Sequence, residues 1–164
     1  MTQQRWWIAI VGILMIAGAV GGCDGGGSGG DHDDNLPDGR VCLLFGEVEP
    51  NATPLTAQLL DDLFLDDCVS VNGSLFDVAD VDSYRVFIQE SLTLVVTLDH
   101  SPLVDFDMQL FDADTGQLIL DCGISAVPEV CVVPLAARSR DIAVDVVVTS
   151  VIGAGTYTLT LDAQ

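Results

Sequence analysis

Leu92-Thr93-Leu94-Val95-Val96-Thr97-Leu98 decides the fold class of this chain. Leu92, Leu94, Val96 and Leu98 recur at every second position, with Thr93, Val95 and Thr97 between them. Successive side chains of an extended strand point to opposite faces, so this spacing describes a strand with one face in a core. The same period appears outward from it. Phe106, Met108 and Leu110 alternate with Asp107 and Gln109; Ile142, Val144, Val146 and Val148 share one face with Asp145 on the other; Tyr157, Leu159 and Leu161 alternate with Thr156, Thr158 and Thr160. Turn-forming residues separate these runs at His100-Ser101-Pro102, Asp112-Ala113-Asp114-Thr115-Gly116 and Gly153-Ala154-Gly155. Only Thr56 to Phe64 reads as a helical turn or two. The expectation is an all-β, antiparallel β-sandwich over residues 41–164, a length that suffices for two packed sheets.

The first 40 residues read differently. Met1 to Arg5 is polar with one positive charge, and Trp6 to Gly22 is uncharged and rich in Ile, Val, Leu, Ala and Gly. That run is shorter than the roughly 20 apolar residues of a bilayer span, and small residues gather at its end, as at a signal-peptide cleavage site. Val20-Gly21-Gly22-Cys23 resembles the bacterial lipobox, which implies a lipoprotein signal peptide over 1–22 and fatty acyl chains on Cys23. More than one chain makes such an anchor stable, at about 0.8 kcal/mol per buried methylene. Asp24 to Arg40 (DGGGSGGDHDDNLPDGR) is too polar to bury a core. It reads as a flexible tether spanning roughly 23 Å, so 23–40 forms the lipidated cysteine and its linker. His32 sits in that tether between acids, as a solvated tail rather than a metal site.

Charge narrows the partners. The chain has 25 acidic residues against 5 basic ones, a formal net charge of −20 at pH 7. Such a surface repels nucleic acid and anionic headgroups and favours divalent cations and cationic partners. Cys42, Cys68, Cys122 and Cys131 remain once Cys23 is assigned to lipid. An even number in an exported chain reads as two disulfides, for which three connectivities exist. Cys122–Cys131 is favoured because GISAVPEV between them looks like a hairpin loop, leaving Cys42–Cys68.

Two segments, taken together, resemble a known family. Glu47-Val48-Glu49-Pro50-Asn51-Ala52-Thr53 with Ala57 forms the first; Val71-Asn72-Gly73-Ser74-Leu75 and then Asp80-Val81-Asp82-Ser83-Tyr84-Arg85-Val86 form the second. Asp105 to Asp112 with its turn to Gly116, and Gly155-Thr156-Tyr157-Thr158-Leu159, follow in order. The series is similar to the bacterial pre-peptidase C-terminal domain, a relative of the collagen-binding domain of clostridial collagenases, from about Glu47 to the end. The resemblance implies a jelly-roll-like sandwich and a calcium site near its N-terminal edge. Ala52 stands where the family carries an acid.

The residue chemistry agrees with that site. Calcium takes six to eight hard oxygen ligands. Glu47, Glu49 and Asn51, two residues apart in an extended segment, present oxygens on one side. Asp80 and Asp82 share that spacing, and Asp77 is close. Strand pairing that joins the two segments would bring these oxygens together.

Catalytic motifs are not evident. No GxSxG, HExxH or phosphate-cradling glycine loop occurs, and lysine is absent. His100 falls in an expected turn without a fixed neighbour to make it a base. Asp105 and Asp107 have the form of paired carboxylates for glycoside hydrolysis, but their setting is that of a strand end. Aromatic residues make up 6% of the chain, too few for an obvious sugar-binding platform, and most fit core positions. Phe87 and Phe111 fall opposite the inward run. The reading is a non-enzymatic, lipid-anchored module of the bacterial cell envelope (periplasmic face or cell surface). It would be stabilised by calcium, contact a protein or polymer partner, and bind no nucleic acid. A structural or accessory subunit of an envelope complex stands second and an envelope hydrolase third.

Overall fold

Alternation along the chain becomes alternation of burial. In the computed structural model, Leu94, Val96 and Leu98 are buried while Thr93, Val95 and Thr97 are half-exposed. The structure describes residues 40–123, 127–136 and 141–164. The expected signal peptide, Cys23 and the expected tether through residue 39, with His32, lie outside the described residues. Among the described residues ten strands follow one another: β1 (Leu43–Gly46), β2 (Gln58–Leu63), β3 (Cys68–Leu75), β4 (Val81–Ile88), β5 (Leu92–His100), β6 (Asp105–Asp112), β7 (Gln117–Asp121), β8 (Glu129–Leu135), β9 (Ile142–Ile152) and β10 (Gly155–Ala163). They form two five-stranded sheets, β1-β3-β10-β5-β8 and β2-β4-β9-β6-β7. Phe106, Met108, Leu110, Val144, Val146 and Val148 of the second sheet join Val71, Leu94, Leu159 and Leu161 of the first in one buried core.

The all-β sandwich is as expected, but it is not purely antiparallel. The edge strands β1 and β2 pair in parallel with β3 and β4, while the other pairings are antiparallel. The chain reverses and changes sheet at each of its first connections. Strands two apart therefore run the same way, and become parallel neighbours wherever no later strand intervenes. β10 intervenes between β3 and β5.

The same zigzag sorts the connections between two poles. Arg40, residue 136, residue 141, Gln164 and the segments 64–67, 89–91 and 113–116 lie at one pole; 47–57, 76–80, 101–104, 122–123, 127–128 and 153–154 lie at the other. At the first pole, Arg40 pairs with Asp162 (2.8 Å) and donates to the Asp66 carbonyl (3.2 Å).

Thr56 to Phe64 forms no helix. Gln58–Leu63 is strand β2, with an irregularity between Leu59 and Asp62. His100 is not an exposed turn residue. It ends β5, is buried, and packs its ring 5.1 Å from that of Phe106. Both disulfides have the expected pairing. Cys42–Cys68 clasps the β1–β3 edge, and Cys122–Cys131 links the end of β7 to β8 across the sandwich.

Candidate metal centre

Three elements build the site. The segment after β1 carries Glu47, Glu49 and Asn51; β4 supplies Asp82; β10 supplies Tyr157. Parallel pairing sets β1 alongside β3, and Glu47 N donates to the Asn72 carbonyl (3.1 Å). Glu47 Oε2 then accepts from Ser74 N (2.9 Å) and Ser74 Oγ (3.3 Å). Further on, the Asn51 carbonyl accepts from Ser83 N (2.9 Å), which fastens the segment to β4 in the opposite sheet. One backbone hydrogen bond at each end thus holds the acids against the sandwich.

Oxygens converge between these fastenings. Carboxylate oxygens of Glu47, Glu49 and Asp82 lie within 4.8 Å of one another, close enough to hold one ion. Asn51 is fully buried beside them. Its backbone N–H donates to Glu49 Oε2 (2.8 Å). One of its two amide atoms sits 2.9 Å from Glu49 Oε2 and 3.1 Å from Asp82 Oδ1. With nitrogen there, the amide donates to both carboxylates. With oxygen there, three oxygens face each other and need a cation or a proton between them, while the nitrogen turns to Glu47 Oε1 (3.4 Å). Asn51 is suited to either state by a rotation of its amide.

Burial sets the electrostatics. Asp82 is fully buried on β4, and desolvation, the neighbouring Glu47 and the charge of Asp80 push its carboxyl up to about 8; the hydrogen bond from Tyr157 works in the other direction. Tyr157 donates to Asp82 Oδ2 (2.5 Å), and Tyr84 shares a hydrogen bond with Tyr157 (2.7 Å). Both phenols are held well above the usual tyrosine range, chiefly by burial.

Of the six ligands expected from sequence, Glu47, Glu49, Asn51 and Asp82 come together. Asp80 lies beside them, but its carboxylate accepts from Phe76 N (2.7 Å) and Val81 N (3.1 Å), and Asp77 caps Ala79 N (2.7 Å) in the same turn. Ala52 is exposed. Sequence reading placed Tyr84 and Tyr157 in the core by alternation and missed their hydroxyls as supports for Asp82. Tyrosine rather than phenylalanine at two inward positions was the available signal.

A second acidic group joins Asp105, Asp107 and buried Glu129, again within 4.8 Å. Asp107 is raised by burial and by Asp105 and Asp121. On the outer face of the second sheet, Phe87 and Phe111 are half-buried, as their alternation implied. Phe111 stands opposite Asp145 in β9, and Arg85 binds Asp145 through Nε (2.6 Å) and Nη2 (2.8 Å).

No family model matches the chain, and no curated protein matches it. Among solved structures, the pre-peptidase C-terminal domain of collagenase from Bacillus anthracis is similar at TM-score 0.53 and 14% identity, over 71% of this chain and all of that one. PliG of Aeromonas hydrophila, a periplasmic inhibitor of g-type lysozyme, aligns at TM-score 0.48 and 12% identity over 66% of this chain and 99% of that one. Its Salmonella Typhimurium counterpart aligns at TM-score 0.44 and 13% identity over 66% and 100%. The first likeness shows the fold: a sandwich of the pre-peptidase C-terminal type.

Proposed function

We propose that this chain is a lipid-anchored, non-enzymatic interaction module of the bacterial cell envelope, stabilised by calcium and contacting a protein or polymer. The observation that carries the reading is the convergence of the Glu47, Glu49 and Asp82 carboxylates within 4.8 Å of one another, beside the buried Asn51. Glu47, Glu49, Asn51 and Asp82 would hold the ion, with Asp80 adding negative potential at the rim. All four ligands are hard oxygens, which suits calcium over softer metals. Bound calcium would cancel the mutual repulsion of the carboxylates and fix 47–57 against β4, so its chemistry is structural. Two disulfides support an oxidising compartment outside the cytoplasm. The Val20 to Cys23 motif supports fatty acylation at Cys23, which would moor the sandwich by its tether.

Thermal unfolding of residues 24–164 with calcium and with chelator tests the ion. A ligand that binds only the native state stabilises by RT ln(1 + [L]/Kd), so the midpoint should rise by several degrees with calcium. Glu49→Ala and Asp82→Ala should each abolish that rise; a rise that survives both sinks the site. For the anchor, wild-type chain should partition with membranes and a Cys23→Ser variant should be neither processed nor lipidated. A Cys23→Ser chain processed and membrane-held like wild type would overturn it.

A further inference from the structure

The pole remote from Arg40 carries an unusual surface. Segment 76–80, the β9–β10 hairpin and segment 101–104 lie side by side there, because β3, β10 and β5 are neighbours in one sheet and β4, β9 and β6 in the other. Register pairs Leu75 with Gly155, and Val104 packs against the hairpin at Gly153, so the three connections touch in sequence. Large apolar side chains stand out from each. Phe76 is 76% exposed, Leu103 88%, and Val78 and Ile152 are exposed as well. None contributes to the core, so their burial elsewhere remains available as binding energy.

The charge around them has one sign. Glu47, Glu49, Asp77, Asp80 and Asp105 flank this apolar strip; among the described residues the segments of this pole hold no lysine or arginine, and His100, which ends β5 there, is buried. Arg40 lies at the other pole and Arg85 is held by Asp145. We infer that this loop pole docks a basic protein surface, one that sets apolar side chains among lysines and arginines. Electrostatic complementarity would steer such a partner to the acidic rim, and burial of Phe76 and Leu103 would hold it. A lipid surface fits poorly, since Asp77 lies between Phe76 and Val78 and insertion would drag a carboxylate out of water. This deepens the interaction-module reading; Asp77, Asp80 and Asp105 keep the rim acidic whether or not Glu47 and Glu49 hold calcium.

The test uses the mature chain in chelator and a synthetic amphipathic peptide of leucines and lysines. Its counterparts replace leucine by serine, or lysine by glutamate. Wild-type chain should bind the lysine–leucine peptide at least tenfold more tightly than either counterpart. Phe76→Ser with Leu103→Ser should weaken that binding at least tenfold while the thermal midpoint stays within a few degrees, because both side chains are exposed; Ile152→Ser serves as an independent variant and should weaken it too. Equal binding by wild type and variants would reduce the effect to net charge and overturn the inference. Wild-type binding to zwitterionic phosphatidylcholine vesicles, lost in the double variant, would assign the strip to lipid and overturn it also. Absence of a calcium-induced thermal shift would count against the ion site alone and leave the peptide result untouched.

Discussion

Gly73 and Tyr157 face each other across β3 and β10, and a Cβ on Gly73 would lie 2.5 Å from the Tyr157 ring and hydroxyl. The missing side chain is what lets the phenol reach across the core to Asp82. Tyr157 is nearly fully buried and is held by hydrogen bonds to Asp82 and Tyr84. Gly73→Ala should therefore destabilise by about 1–3 kcal/mol, the usual cost of overpacking. It should also weaken the calcium response, since the displaced phenol no longer orients Asp82. Urea unfolding with calcium and with chelator measures both; an unchanged midpoint in chelator would show that the strand accommodates the methyl group.

Asp82 gives a pH signature. Its folded value of about 8 lies above the ordinary 3.8, so the folded state holds this proton more tightly than the unfolded chain. The stabilisation is complete below about 4, declines as pH rises, and is gone above about 8. Asp82→Asn mimics the protonated form and does not titrate. In chelator, wild type should lose several degrees relative to this variant between pH 4 and pH 8. A midpoint difference that stays flat across that window would contradict the raised value.

Arg85 and Asp145 offer a test away from the ion. Asp145 is 1% exposed although it points to the outer face of its sheet; Arg85 covers it and also donates to the Pro54 carbonyl (3.0 Å). Arg85→Met keeps the aliphatic stem but leaves a buried carboxylate without its cation. A loss of about 3 kcal/mol is expected. Adding Asp145→Val should recover most of it, because an apolar pair of similar volume replaces a buried ion pair at little cost. Thermal unfolding of the single and double variants decides this.

The two disulfides should differ in weight. Cys42–Cys68 closes a separation of 26 residues and Cys122–Cys131 one of 9. Loop-closure entropy predicts about 3.5 and about 2.6 kcal/mol respectively. Paired serine variants, compared by denaturant unfolding, should rank in that order.

The central strands were legible because both faces of each obey a simple rule. Leu92 to Leu98, Phe106 to Leu110 and Tyr157 to Leu161 each set one face in the core and the other toward water. The edge strands β1 and β2 escape the rule. In β2, Leu59 is exposed, Leu60 is half-buried and the register shifts before Asp62, so its leucines imitate a helical stripe. β1 is short and mostly exposed and carries no alternation to read. Among the expected ligands, Glu47, Glu49, Asn51 and Asp82, named from the family resemblance and their two-residue spacing, are the ones the fold brings together. Spacing alone did not show that backbone amides of the 76–80 turn claim the carboxylates of Asp77 and Asp80. Buried His100 was misread because Ser101-Pro102 marks a turn without saying on which side of its boundary the histidine falls.

Arg40 and Gln164 leave the sandwich from the same pole, and Gln164 is stitched to Thr93 by a reciprocal pair of backbone hydrogen bonds (2.7 and 2.9 Å). A reporter or affinity tag appended after Gln164 would emerge at the pole of Arg40. Such a fusion leaves the opposite pole unobstructed, whereas a cargo spliced into 101–104 would be displayed at the pole away from Arg40.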